Sequence, residues 1–89
     1  MSEGAEFWQV MFTKVAAQTR RDLPPGPVRA GFDGALDTIG YHPLDVGRPL
    51  HPDGLATQRT YRVGSAGLIV YLVDEAARTI VIERIIYAG

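Results

Sequence analysis

The chain reads as an α+β fold: a small antiparallel β-sheet, made of an N-terminal strand and three C-terminal meander strands, with a two-helix hairpin packed on one face. Three observations predict it. Residues 58–87 hold three runs rich in β-branched and aromatic residues, 59–64, 68–73 and 78–87, punctuated by Gly64, Gly67 and the polar pair Asp74-Glu75. Two stretches ahead of them repeat apolar residues on the helical period. A short aromatic run precedes both, so the element order is strand, helix, helix, long loop, three strands.

Phe7-Trp8-Gln9-Val10-Met11-Phe12 is that first strand, and Thr13 is placed to cap the helix after it. From Lys14 onward Val15, Ala16, Thr19 and Leu23 fall on one stripe. Pro24-Pro25-Gly26-Pro27 stops this helix, because proline removes a donor and restricts the residue before it. Pro27 suits the first turn of a second helix, whose stripe is Val28, Phe32, Ala35, Leu36 and Ile39. Gly31 and Gly34 sit inside it, each costing on the order of 1 kcal/mol relative to alanine, which a close approach to the sheet would explain. Gly40 is read as the terminating residue, followed by Pro43. Residues 41–57 form a long connection with one brief strand-like piece. The central strand, Leu68-Ile69-Val70-Tyr71-Leu72-Val73, is apolar at every position, as expected of a strand buried on both faces, which places it at the centre of the sheet. Gly64-Ser65-Ala66-Gly67 joins two strands and is a hairpin turn rather than a phosphate cradle.

At 89 residues the chain is expected to be a single domain, 1–89. Nine basic residues face ten acidic ones for a net charge of -1, which disfavours strong non-specific nucleic-acid binding. There is no cysteine, so no disulfide, thiolate nucleophile or sulfur-ligated metal. No metal and no small-molecule cofactor are expected. The acidic start shows no signal-peptide pattern and no run is long enough to span a bilayer, so a cytoplasmic protein with no membrane partner is expected.

The segments His42-Pro43-Leu44-Asp45-Val46-Gly47-Arg48-Pro49-Leu50, Arg62-Val63-Gly64, Ile69 to Glu75 and Ile80-Val81-Ile82-Glu83-Arg84-Ile85 carry a resemblance in their order and spacing. In these the chain resembles the RelE/ParE superfamily of bacterial toxin-antitoxin toxins. The resemblance implies a growth-inhibiting type II toxin neutralised by a co-encoded antitoxin. Its target is then the ribosome and its mRNA, as in the RelE branch, or DNA gyrase, as in the ParE branch. RelE-like nucleases usually have arginine three residues before the central-strand tyrosine, where this chain has Leu68, and a glycine, histidine and arginine where it has Ile86, Tyr87 and Ala88. A toxin without the usual RelE catalytic set is therefore the leading expectation. The alternatives are a divergent ribosome-dependent mRNA endoribonuclease and a degenerate toxin kept only as a protein-binding partner.

Metal-free RNA cleavage needs cations for the developing phosphorane charge and a group to move protons. Arg62, Arg84 and Tyr87 are the candidate catalytic residues, with Tyr87 in the place of a family histidine. Arg62 and Arg84 have a plainer reading as ion pairs with Glu83, Asp74 or Glu75. Arg48, His51 and Arg59 are the candidate RNA or target contacts. His42 and His51 match no metal-ligand spacing, and neither has an evident carboxylate partner.

Overall fold

The computed structural model describes residues 7–50 and 57–88. In chain order these form β1 (Gln9–Phe12), α1 (Lys14–Asp22), α2 (Pro27–Tyr41), β2 (Arg48–Pro49), β3 (Gln58–Val63), β4 (Gly67–Asp74) and β5 (Thr79–Tyr87). The α+β architecture is the expected one, and its sheet has the order β1-β5-β4-β3-β2. One correction concerns direction: β1 runs parallel to β5, from Gln9↔Thr79 to Phe12↔Ile82, so the sheet is mixed rather than wholly antiparallel. The cause is the connection. Two helices and a loop carry the chain back across the sheet, so β3 starts out in the direction of β1, and two hairpins later β5 does so again.

Thr13 caps α1 as its sequence position predicts, its hydroxyl accepting from the Ala16 N–H at 3.1 Å. Arg29 of α2 ties the two helices together by donating to the carbonyls of Arg20, Arg21 and Leu23 at the end of α1. That satisfies acceptors which a helix C-terminus otherwise leaves to water. The α2 stripe buries Phe32, Ala35, Leu36 and Ile39. On α1, Ala16 and Leu23 are buried, whereas Val15 is 58 % exposed. One residue is roughly 100° of helix, enough to turn Val15 out of the stripe that holds Ala16.

The glycines of α2 depart from expectation in opposite ways. Gly40 does not end the helix, which continues to Tyr41; the ring of Phe7 lies where a Gly40 side chain would be. Gly34 has open space around it and Gly31 has only Val63 at 3.9 Å, so neither marks a close approach to the sheet.

Strand pairing sorts the sheet side chains onto two faces, since opposed residues share a face and neighbours alternate. Ile69, Tyr71 and Val73 of β4 and Ile80, Ile82 and Ile85 of β5 lie in the core with Phe32, Leu36 and Ile39. The spacing 80, 82, 85 breaks the two-residue period. A β-bulge accounts for it: Tyr71 pairs with Ile82 and Val70 with Arg84, leaving Glu83 without a partner. Thr13 holds this bulge, its N–H donating to the Ile82 carbonyl and its hydroxyl to the Glu83 carbonyl.

Candidate functional site

The helices cover only one side of the sheet. On the other side, successive pairing partners form rows across the strands. Arg48 of β2 opposes Thr60, which opposes Val70, which opposes Arg84. The next row is Arg62, Leu68 and Ile86. A third runs Gln58, Leu72, Val81 and Met11. The result is an apolar strip of Leu68, Val70, Leu72, Val81 and Ile86 flanked by Arg48, Arg62 and Arg84. At about 4.8 Å between strands, Arg48 and Arg84 stand roughly 14 Å apart at their Cα atoms with Val70 between them.

The ion pairs that would have given Arg62 and Arg84 a plain structural role are not formed. Among the described residues the side chains of Arg48, Arg62 and Arg84 have no hydrogen bond or ion pair, and the salt bridges are Arg20 with Asp33 and His42 with Asp45. Glu83 instead accepts from the side-chain amide of Gln58 at 2.8 Å. The five donors of Arg84 are thus unengaged among the described residues.

Tyr87 does not join the arginines. It pairs with Gly67 at the end of β5 and its ring meets Phe32 edge-on, with 6.5 Å between centroids, on the helix side of the sheet. Arg59 also projects to the helix side, where it donates to the carbonyls of Val46 at 3.0 Å and Gly47 at 3.3 Å. His51 lies outside the described residues. His42 has a carboxylate neighbour that its sequence context did not suggest, Asp45 at 3.9 Å, with both side chains exposed. The Gln58–Glu83 pair and the bulge went unremarked in the sequence, although the 80, 82, 85 spacing signals them. Among the described residues no group of histidine and acidic side chains is arranged to hold a metal ion.

Beneath the open face, Tyr71 is fully buried with its hydroxyl 3.0 Å from the carbonyl oxygens of both Pro43 and Val46. The hydroxyl is thus satisfied by the loop ahead of β2. Burial pushes its pKa up, with the Arg59 guanidinium partly opposing. A tyrosine raised in the fold contributes stability that is intact below the ordinary value of about 10 and is lost as pH climbs through the raised value. We therefore expect urea midpoints to fall steeply above about pH 10. Tyr71→Phe is expected to cost about 1–3 kcal/mol at neutral pH, because two loop carbonyls lose a donor, and to flatten the alkaline fall. An alkaline limb unchanged in Tyr71→Phe would refute this.

The fold, a mixed five-stranded sheet with two helices on one side, is similar to that of solved toxin structures. The isolated RelE toxin of E. coli is similar over 92% of this chain and 85% of its own, with a TM-score of 0.68 at 18% identity. A chain of the archaeal RelE-RelB complex from Pyrococcus horikoshii is similar over 94% of this chain and 98% of its own, with a TM-score of 0.67 at 21% identity. Those two likenesses are of fold. A chain of the toxin-antitoxin complex RelBE2 from Mycobacterium tuberculosis is similar in sequence as well: 30% identical, over 92% of this chain and 99% of its own, with a TM-score of 0.75. The chain belongs to the RelE superfamily of toxins. Neither a protein-family model nor a curated protein matches it. No described helix is long and apolar enough to cross a membrane.

Proposed function

We propose that this chain is the toxin of a type II toxin-antitoxin system, acting in the cytoplasm and arresting growth by docking its open sheet face on the ribosome or on DNA gyrase without cutting mRNA. An antitoxin neutralises it by covering that face or the helical pair. One observation carries the proposal: Arg48, Arg62 and Arg84 have no partner among the described residues and lie on one sheet face, around an apolar strip that burial against another macromolecule would stabilise. Support for the antitoxin comes from two of the three similar structures, which are of toxin-antitoxin or RelE-RelB complexes.

Cleavage is disfavoured by what surrounds those arginines. Leu68 stands between Arg62 and Ile86, Tyr87 is on the opposite face, and the Glu83 carboxylate is engaged by Gln58. A second reading, a divergent ribosome-dependent mRNA endoribonuclease, draws on the same three guanidinium groups, which suit a developing phosphorane charge without a metal. Purified chain added to mRNA-programmed ribosomes separates the two. The expected result is intact mRNA. Cleavage that Arg62→Ala and Arg84→Ala abolish would overturn the non-cutting mode and establish the second reading.

A further inference from the structure

We infer that Arg59 and Tyr71 are positioning residues for Arg48: from the core side of the sheet they clamp the loop that carries Arg48 onto the open face. The inference rests on the reading of Arg48 as a target contact. Residues 42–47 lead from α2 into β2, a strand of only two residues, Arg48–Pro49, whose proline has no N–H to donate. So short a strand has little pairing of its own to fix it. Its support comes from below. Arg59 reaches the Val46 and Gly47 carbonyls, and the Tyr71 hydroxyl reaches those of Pro43 and Val46.

These contacts press the chain so close to the sheet that only glycine fits at 47. Its φ is +71°, and an added Cβ would collide with the Thr60 carbonyl oxygen and come within 2.8 Å of the Tyr71 hydroxyl. Gly47 immediately precedes Arg48, and Thr60 is the residue that Arg48 opposes. The clamp therefore fixes both the loop and the register that places Arg48 opposite Thr60, in the row that continues through Val70 to Arg84.

Arg59 is costly to keep in this position. It is only partly exposed, and its Nε is buried with no hydrogen-bond partner among the described residues. An aliphatic side chain would fill the space without leaving a buried donor unmet. What an aliphatic residue lacks is the reach to two loop carbonyls. The parity of β3 makes the division of labour plain: Arg62 and Thr60 face the open side, whereas Arg59 and Tyr61 face the core.

Two readouts test the inference, on Arg59→Leu and, since that variant can fail to fold, on Tyr71→Phe, which keeps the ring. The first is hydrogen exchange. The Leu50 N–H donates to the Gln58 carbonyl at 2.8 Å just beyond β2. Relative to the amides of β4 and β5 it is expected to exchange on the order of tenfold faster in either variant, the effect of one lost charge-assisted or buried hydrogen bond. A change shared equally by the β4 and β5 amides would mean a general loss of stability and overturn the inference.

The second readout is growth arrest on induced expression, at matched soluble protein. Adding Arg48→Ala to Arg59→Leu is expected to weaken the arrest no further, while adding Arg84→Ala weakens it again. Full additivity with Arg48→Ala would overturn the inference. Should Arg48→Ala alone leave the arrest unchanged, the role of Arg48 as a target contact falls, and the Leu50 exchange rate still decides whether the clamp exists.

Discussion

Gly67→Ala is expected to abolish the native fold. Gly67 opens β4 with φ at +156°, opposite Tyr87. A Cβ built there would overlap the carbonyl oxygen of Ile86 and lie 3.2 Å from the Phe32 ring. The Ile86 oxygen belongs to the backbone of the paired strand, so no rotamer change relieves the overlap. β4 must separate from β5 at this end, and the fully buried ring of Phe32 must also give by a few tenths of an ångström. We expect a loss of about 4 kcal/mol or more, in the range reserved for backbone clashes and core disruption. Small domains have only about 5–15 kcal/mol in total. Circular dichroism during urea titration measures it. A cooperative transition at the wild-type midpoint would show that the strand end yields cheaply.

Arg62→Ala combined with Arg84→Ala is expected to leave stability nearly unchanged and remove growth inhibition. Neither guanidinium has a partner within the described fold, so the pair should cost no more than about 0.5 kcal/mol each, as for surface substitutions. Hydrogen bonds from a charged group contribute about 1.5–3 kcal/mol each. Losing two then weakens target affinity by roughly 10²- to 10⁴-fold. Growth after induction, at equal soluble protein, tests this, with a urea titration as the control. Arrest as strong as that of the parent chain would remove the arginines from the effector surface.

Much of this fold was legible in the sequence because its elements obey single local rules. Thr13 caps where it stands, Pro27 opens α2, and the apolar run 68–73 takes the middle of the sheet. Only its Ile69, Tyr71 and Val73 face is covered by the helices, and the face of Leu68 and Leu72 is half-exposed, a correction to burial on both faces. The direction of β1 was not legible, since a four-residue strand pairs equally well either way and the choice is made by where two helices and a loop return the chain. Gly40 misled for a related reason: a glycine near a helix end suits both a cap and a close contact, and only the position of Phe7 decides between them. For the site, strand parity was the missing step. Counting along β3 and β5 from a buried residue separates Arg62 and Arg84 from Arg59, and once the bulge at Glu83 is recognised, from Tyr87. Residue type alone does not separate them, because arginine serves a core-side clamp and an exposed face with equal ease.

The central claim is that this toxin fold stops growth by occupying a target through its open face. Pulse-labelling of protein and DNA synthesis in a bacterium, begun at induction of the chain and repeated with Arg62→Ala and Arg84→Ala combined, tests it most directly. The account predicts that one of the two syntheses falls first with the parent chain: protein synthesis for the ribosome, DNA synthesis for gyrase. It predicts that neither falls with the double variant. Both syntheses continuing unchanged with the parent chain, or falling equally with the double variant, would contradict it.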